Sequence, residues 1–426
     1  MSEDDTPILV WFRNDLRLHD HPALLRAVEE GTTVVPIFVW SPDEESPWSP
    51  GRSARWWLRK SLASLASDLA AEGLELTCRR GSSREELLHV AGLVDARAVF
   101  WNERVAPHLR ERDERVADTL EERGLNVQTF ESRILHDPDS VETTSGGPYH
   151  VYTPFWKKFR KVVDVREPRP KPNLGEVEAP DQSLTSLDPG ELFDIDEPSG
   201  LDEAWAPGES AAHERLGTFV DDILEGYDSS REIPGEDGTS RLSPYLQHGE
   251  LSPAQVWEAI EESAVAREET DPDSVETYLQ EIVWREFSYH LLHHYPETTT
   301  EPLKEKFEAF EWRWNDEQLE RWKRGETGYP IVDAGMRQLK GMGWMHNRVR
   351  MIAGSFLTKD LLLPWQEGAK WFWEHLVDAD LASNTMGWQW AAGCGADAQP
   401  FFRMFNPISQ SERYDSGGEY IRRWVP

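Results

Sequence analysis

The first 130 residues alternate between continuous apolar runs and amphipathic stretches. Continuous apolar runs such as 8–12 and 33–40 indicate strands that are covered on both faces. The amphipathic stretches between them indicate helices. The pattern predicts strands over 8–12, 33–40, 74–79, 98–102 and 126–131, and helices over 22–29, 51–72, 83–92 and 107–123. Strands separated by helices predict an α/β domain with a doubly wound parallel sheet.

The remaining sequence changes character twice. Seven prolines and many acidic residues lie between 164 and 208, with little periodicity, which is typical of a long connection. From about residue 211 onward the pattern is helical almost throughout. We therefore predict an α/β domain over 1–133, an extended connector over 134–208 and an all-α domain over 209–426.

Composition excludes several classes of protein. The chain has 426 residues, 38% of them hydrophobic, and no apolar run long enough to cross a bilayer. Its acidic first five residues do not resemble a signal peptide. Cys78 and Cys394 are the only cysteines, which argues against a zinc site of the CxxC type and against a disulfide framework. These features predict a cytoplasmic protein.

The net charge of −33 opposes nucleic-acid binding if it is taken alone. A strongly acidic surface is also typical of proteins from salt-accumulating halophiles, because high salt screens the repulsion between charges. We expect such a source. Residues 331–359 reverse the balance locally, with five basic residues and one acidic residue. This segment is where we expect a polyanion to dock.

Ten of the 20 tryptophans lie between Trp284 and Trp390. Most of these rings would serve as ordinary core residues in a large helical domain. Trp388 and Trp390, however, are two apart, so on a helix they point into different environments. One ring could belong to the core and the other could stack on a flat ligand. No GxGxxG motif follows the first strand, so the sequence carries no dinucleotide fingerprint of that type.

Several motifs, in order along nearly the whole chain, resemble the photolyase/cryptochrome flavoprotein family. Within that family the chain is most similar to the microbial class I cyclobutane pyrimidine dimer photolyases. The matching segments are WFRNDLRL at 11–18, GTSRLSPYL at 238–246, EIVWREF at 281–287, TGYPIVDAGMR at 327–337, 343–351, 378–384, GWQW at 387–390 and FNP at 405–407.

The resemblance implies one FAD, active in its reduced anionic form, inside the all-α domain. Residues 239–243 would contact the diphosphate, and Asp378 and Asp380 the flavin and ribose, with Arg350 as the ion-pair partner of Asp378. Asn384 would lie near flavin N5, where an amide supplies no proton at neutral pH. The complete implied set is Tyr227, Thr239, Ser240, Arg241, Leu242, Ser243, Tyr278, Glu281, Arg285, Asn347, Arg350, Asp378, Asp380 and Asn384.

The resemblance also implies a pocket for a pyrimidine dimer that is flipped out of UV-damaged DNA. The implied catalytic set is Glu281, Trp284, Asn347, Met351, Asn384 and Trp390. Relatives that repair (6-4) lesions carry a histidine pair near the position of Met351. Because methionine cannot act as an acid as a histidine can, the resemblance favours cyclobutane dimers as the substrate. The implied DNA contacts are Arg231, Glu281, Trp284, Arg285, Asn347, Arg348, Trp390 and Gln410.

A third implied set is an electron path from the flavin to the surface through Trp388, Trp365 and Trp312. Trp314 follows two residues after Trp312 and is the alternative surface end. Any of these rings, taken alone, would be interpreted as core.

An antenna chromophore is the least supported part of the resemblance. The residue patterns of the folate-binding and the deazaflavin-binding relatives are both incomplete in this chain. Arg104 and Gln247 depart from the deazaflavin pattern. Trp40, Arg55 and Trp101 could nevertheless line a pocket. The chain ends at Pro426, inside a stretch that the family continues with further helices, so we expect a truncated sequence.

The leading hypothesis is a monomeric deoxyribodipyrimidine photo-lyase that repairs cyclobutane pyrimidine dimers in DNA with blue or near-UV light. The alternative is a blue-light photoreceptor of the cryptochrome type, which needs the flavin but no lesion chemistry. A light-independent flavin oxidoreductase is a third hypothesis and lacks a nicotinamide-binding fingerprint. No metal is expected.

Overall fold

A parallel five-stranded sheet with helices on both faces forms the N-terminal part of the molecule. The computed structural model describes residues 6–180, 182–195, 198–266, 271–398 and 404–426, so the acidic first five residues lie outside it. The strands are β1 Ile8–Phe12, β2 Val34–Trp40, β3 Thr77–Arg80, β4 Ala98–Asn102 and β5 Asn126–Phe130. The helices between them are α1 Pro22–Glu30, α2 Arg52–Ala71, α3 Ser83–Val94 and α4 Pro107–Glu122.

The strand order is β3-β2-β1-β4-β5, and every pairing is parallel. All residues of β1 and β2 are buried, as expected for central strands that helices cover on both faces. The predicted doubly wound sheet is therefore confirmed. The third strand begins at Thr77 rather than at 74, because Leu74 and Leu76 serve as buried core residues before the strand starts.

The connecting region is not extended throughout. Helix α5, Tyr152–Val162, lies inside it, and Tyr152, Phe155, Trp156 and Phe159 supply its buried face. This spacing of three and four residues is the helical period. The later part of the connector covers the sheet domain, where Leu174, Val177, Leu192 and Phe193 join its core.

Helices dominate the rest of the described chain. They include a long central helix, α11, and a set of shorter helices that surround it. Their bounds are α6 Leu201–Ala204, α7 Glu209–Thr218, α8 Tyr227–Ser230, α9 Ser243–His248, α10 Pro253–Ala266, α11 Pro272–His294, α12 Asp316–Arg324, α13 Pro330–Met342, α14 Asn347–Ser355, α15 Trp365–His375, α16 Leu381–Ala392, α17 Pro407–Tyr414 and α18 Glu419–Trp424. Across the residues placed by the structure, no helix has both the length and the apolar character needed to span a membrane.

The two parts of the molecule approach closely at the end of α9. Gly249 has a φ of +72°, and a Cβ atom there would lie 2.1 Å from the carbonyl oxygen of Asn14. Glycine is needed for both reasons: it adopts the left-handed conformation, and it leaves room for the neighbouring backbone. This contact places the turn after β1 directly against the helical part.

Candidate active site in the helical part

A cavity of about 590 Å³ opens among helices α8, α11, α14, α15 and α16. This volume lies in the usual range of ligand pockets. Its lining separates into a polar region, a floor that contains Trp388, and an aromatic rim.

The polar region begins in the loop before α9. The guanidinium of Arg215 fixes this loop by donating to the carbonyl oxygens of Ser240 (2.7 Å) and Thr239 (2.8 Å). Thr239, Ser240, Arg241 and Ser243 all line the cavity. Arg215 therefore holds the loop in place, and Thr239, Ser240 and Arg241 are side chains of this loop at the cavity.

Asp378 joins this loop to α14. The Ser243 hydroxyl donates to Asp378 Oδ2 at 2.7 Å, and Arg350 Nη2 approaches the same oxygen at 2.8 Å. Arg350 Nε also donates to the carbonyl oxygen of Met345. The expected ion pair between Arg350 and Asp378 is thus present, and it holds one wall of the cavity in place.

Asp380 lies between the cavity and a second, smaller cleft, and it lines both. It caps α16 by accepting the backbone N–H of Ser383 at 2.8 Å, and it also accepts the Tyr289 hydroxyl. Arg133 Nη2 lies 3.5 Å from its carboxylate. Burial alone would raise the pKa of Asp380, but the charges of Arg133 and Arg285 and these hydrogen bonds outweigh burial and hold that pKa below its usual range.

Asn384 is one turn into α16 and lines the cavity. Its Nδ2 donates to the carbonyl oxygen of Ala369 at 3.1 Å. This bond fixes the amide to α15 and leaves Oδ1 as an acceptor and the second N–H of Nδ2 as a donor.

The aromatic rim contains Trp284 and Trp390. The Trp284 ring stacks on Tyr152 with a centroid distance of 3.5 Å and an interplanar angle of 9°. Trp390 lies 6.0 Å from Phe405 at 26°. Tyr152 is buried, and its hydroxyl donates to the carbonyl oxygen of Gln280. Trp284 therefore presents a ring that is held from behind, which is what a stacking platform requires.

The predicted DNA-contacting cations are paired with acids at this rim. Arg231 Nη1 lies 2.7 Å from Glu281 Oε1, and Arg348 forms an ion pair with Glu232. The basic surplus predicted for 331–359 is thereby reduced, since Arg348 and Arg350 both have carboxylate partners. Asn347 and Met351 line the cavity together with Arg285, whereas Gln410, on α17, is not among the lining residues.

Two residues predicted to contact the cofactor lie behind the lining. Tyr278 is buried, and its ring meets Tyr227 edge to face at 5.2 Å. Leu242 is also buried in the core. Tyr227 occupies the lining position, so Tyr278 and Leu242 lie behind it, and their direct contact with the cofactor stays a prediction.

The three rings of the predicted electron path share one core. Trp388 lines the cavity, Trp365 is buried in the same cluster, and Trp312 is partly buried at its edge. Gly368 makes room for Trp388, because a Cβ atom there would lie 2.1 Å from the ring. Trp314 is 60% exposed, with its Nε1 donating to Asp316. The order of the rings from cavity to surface is consistent with the predicted path.

Other lining residues were not predicted from the sequence. Several of them stand three or four positions from a predicted residue on the same helix, so helical spacing from Trp284 or Asn384 could have found them. The complete set of lining residues that were not predicted is Glu232, Ser288, Trp344, Met345, Phe372, Leu376, Ser383, Met386, Gly387, Ala391 and Asp397.

The smaller cleft, of about 70 Å³, lies between the sheet domain and the helical part. Trp40, Arg104 and Gln247 line it, as do Arg13 and Arg112, whereas Arg55 and Trp101 are not among the lining residues.

Comparisons with known proteins agree over both parts of the chain. Residues 8–173 match the family model described as DNA photolyase, and residues 278–426 match the one described as FAD binding domain of DNA photolyase. The chain is 44% identical over its whole length to the deoxyribodipyrimidine photo-lyase of Agrobacterium fabrum, of which it covers 88%. It is 37% identical over 98% of its length to cryptochrome-1 of Arabidopsis thaliana, of which it covers 62%.

A solved structure gives the same result. A bacterial class III photolyase from Agrobacterium tumefaciens superposes with a TM-score of 0.94, at 43% identity, over 100% of this chain and 88% of that one. The fold is therefore that of its sequence relatives. The class I assignment made from the sequence stays a prediction, since this neighbour is described as class III.

Proposed function

The chain belongs to the DNA photolyase family, and we propose that it is a deoxyribodipyrimidine photo-lyase that repairs cyclobutane pyrimidine dimers in DNA with light. The observation that carries this proposal is that a single cavity combines two sets of groups. The Asp378–Arg350 pair and Asn384 line one part of it, and the Trp284 and Trp390 rings stand at its rim.

The residues of the cavity fit FAD. The hydroxyls of Thr239 and Ser240, with the cation of Arg241, suit a diphosphate, whereas the Ser243 hydroxyl already donates to Asp378. Asp378, Asp380 and Asn384 offer hydrogen-bond acceptors, and Asn384 also a fixed amide, to the polar edge of a ring system. Arg241 supports the fit, because it lines the cavity and its buried Nε has no hydrogen-bond partner.

The chemistry that reduced FAD supplies when it is bound is a light-driven transfer of one electron to the dimer, with return of the electron after the ring has split. The protein's own residues bind and orient. Asn384 holds an amide against the bound group and cannot protonate it at neutral pH. Glu281 places a carboxylate at the rim, where it can accept hydrogen bonds from a base once Arg231 shifts.

Lesion recognition rests on Trp284 and Trp390. Stacking on an aromatic ring contributes about 1–3 kcal/mol per base. That contribution does not depend on salt, whereas phosphate contacts weaken steeply as salt rises. In a chain with a net charge of −33, whose rim arginines are already paired, we expect stacking to carry much of the affinity for the lesion.

The proposal also covers partner, oligomeric state and location. UV-damaged DNA is the partner, and the protein acts as a monomer in the cytoplasm. Sedimentation at several protein concentrations tests the oligomeric state. A second, antenna chromophore stays part of the proposal, although the residues of the interdomain cleft do not identify it as a folate or a deazaflavin. A solved archaeal photolyase from Sulfolobus tokodaii, 28% identical to this chain, is described as containing two FAD molecules and as implying a novel light-harvesting cofactor.

A blue-light photoreceptor is the second candidate, favoured by the identity to cryptochrome-1 of Arabidopsis thaliana. The two functions separate in one assay. Purified, chemically reduced protein is mixed with an oligonucleotide that contains a thymine dimer and is illuminated with blue light. We expect intact thymines to be restored in the light and not in the dark. Binding of FAD with no repair in the light would exclude the lyase and leave the photoreceptor.

A further inference from the structure

Three potential metal ligands converge where the turn after β1 meets the start of α7. They are His19 from the turn and Glu209 and His213 from the helix, and their ligand atoms all lie within 4.8 Å of one another. Glu209 Oε1 is 2.9 Å from His19 Nδ1 and 3.8 Å from His213 Nε2. This cluster is separate from both cavities described above.

The carboxylate is fixed and the imidazoles are reachable. Glu209 is buried and accepts the backbone N–H groups of Leu18 (2.7 Å) and His19 (2.9 Å). The His19 and His213 side chains are 48% and 40% exposed. An ion from solvent could therefore meet a carboxylate that is already oriented and complete its coordination with water.

The distances suit a tetrahedral ion. Ligand atoms that lie 2.0–2.1 Å from Zn²⁺ are separated from each other by about 3.3 Å. Glu209 Oε1 lies 2.9 Å from His19 Nδ1 and 3.8 Å from His213 Nε2, one separation below and one above that value. In addition, His213 Nε2 is buried, and its nearest carboxylate oxygen, Glu209 Oε1, lies at 3.8 Å, beyond ordinary hydrogen-bond length.

We propose that His19, Glu209 and His213 bind a divalent transition-metal ion of the Zn²⁺ class. Two imidazoles and one carboxylate select such ions over Mg²⁺ and Ca²⁺, which prefer oxygen ligands. The ion would join the turn of the sheet domain to the first turn of α7. Its role would be to stabilise the contact between the two parts of the molecule.

The charges around the cluster permit a cation. Arg17 and Lys171 are the neighbouring cations, and Asp68 is a further neighbouring carboxylate. Arg17 is engaged by the carbonyl oxygens of Gly249 and Asp20, and Lys171 forms an ion pair with Glu72. Both cations are therefore engaged by groups other than Glu209.

A second cluster in the described chain, Asp139 with His293 and His294, is less suited to a metal. Arg110 Nη1 lies 3.0 Å from His293 Nδ1, so a cation already stands beside that ring. His294 Nε2 lies 3.4 Å from the carbonyl oxygen of Pro138. This cluster serves as the internal comparison in the test.

The test uses full-length protein without a polyhistidine tag, treated with EDTA and then freed of it. Zn²⁺ alone is titrated by calorimetry, and bound zinc is counted after gel filtration. We expect one equivalent in the wild type and a rise in melting temperature. His213→Gln should lower the affinity more than about tenfold and abolish the rise. His89→Gln, at an exposed histidine of α3, should change neither.

The outcomes decide between the two clusters. No uptake by the wild type, or equal uptake by His213→Gln, would overturn the proposal. Loss of uptake in His293→Gln with retention in His213→Gln would place the ion at the second cluster and would equally overturn it. Circular dichroism and flavin content verify that each variant is folded. If His213→Gln fails to fold, His19→Gln, at another partly exposed ligand, replaces it.

Discussion

The large cavity and the interdomain cleft are built from the same residue types, tryptophan and arginine, yet they differ in what fills them. The cavity keeps about 590 Å³ open, whereas the cleft keeps about 70 Å³. In the cavity, the Asp378–Arg350 pair lies along a wall. In the cleft, the arginine side chains themselves occupy the space.

The arginines of the cleft are already neutralised and stacked. Arg13 and Arg112 share Asp113 at 2.8 and 2.6 Å, and the Arg13 guanidinium lies 4.3 Å from the centroid of Trp11. Burial lowers the pKa of Arg104 to about 10, against the opposing effect of Glu45. In the cleft, therefore, the cations are paired with a carboxylate behind the lining, whereas in the cavity both members of the Asp378–Arg350 pair line the open space.

Asp378→Ala should have the largest effect. It leaves Arg350 without its carboxylate and removes the partner of Ser243. Because a quarter of the Arg350 side chain is exposed, the cost should lie below the about 3–5 kcal/mol of a fully buried pair. We expect the purified variant to lose bound FAD, as measured by flavin absorbance per chain, and therefore to lose repair.

Asp113→Ala is the matched change in the cleft, since it also removes the carboxylate of buried arginine pairs. It should lower the melting temperature and leave the flavin content of the folded fraction unchanged. Equal flavin loss in both variants would show that the two regions are not distinct.

Trp312→Phe tests the path out of the cavity. The ring lies at the edge of the core that holds Trp388 and Trp365, so its removal should stop light-driven reduction of oxidised FAD. Repair by chemically reduced protein should persist, because the rim is untouched. Flavin absorbance under illumination with an external electron donor measures the reduction of FAD. The thymine-dimer assay measures repair.

Trp314→Phe, at the exposed neighbouring ring, is the control and should still be reduced by light. The opposite result, with Trp314→Phe inactive and Trp312→Phe active, would move the surface end of the path to Trp314.

Trp284→Ala tests the rim. Loss of one stacking wall should weaken binding of dimer-containing DNA by about 1–3 kcal/mol and leave undamaged DNA almost unaffected. Trp373→Ala, in the cleft, should change neither affinity. Fluorescence anisotropy at several salt concentrations measures both. If Trp284→Ala weakened both DNAs equally, Trp284 would be a structural residue held by Tyr152.

The sheet domain could be predicted from the sequence to within a few residues, because covered parallel strands leave continuous apolar runs. The start of β3 was misplaced where Leu74 and Leu76 continue the run without continuing the strand. Helix α5 was missed because a proline-rich, acidic context surrounds its four buried aromatic residues.

The candidate site could be predicted as a set of residues but not as a geometry. Motifs brought Asp378, Asn384 and Trp284 together correctly. They could not show that Arg231 pairs with Glu281, since these residues are 50 positions apart, the first directly after α8 and the second on α11. They also could not distinguish a lining residue from one behind it, as with Tyr227 and Tyr278, because both are buried aromatic residues.

Tyr289→Phe should have the smallest effect, at the wall that the two regions share. The Tyr289 hydroxyl donates to Asp380 and accepts from Arg133 Nε at 3.1 Å. Its loss should lower the free energy of unfolding by about 1 kcal/mol at pH 7. Because the pKa of Asp380 is held below its usual 3.8, the stability from this carboxylate is present above that value and lost as the pH falls through the folded pKa.

The deficit of Tyr289→Phe relative to the wild type should therefore be constant from pH 7 to about pH 5 and shrink at lower pH. Tyr420→Phe is the matched control: its buried hydroxyl donates to the neutral amide oxygen of Gln338 at 2.7 Å. Its deficit should not change with pH, since no charge is involved in that bond. Denaturant unfolding between pH 7 and pH 3 measures both. A deficit of Tyr289→Phe that did not vary with pH would mean that Asp380 keeps its low pKa through the arginines alone, so that the wall between cavity and cleft depends on charge and not on the tyrosine.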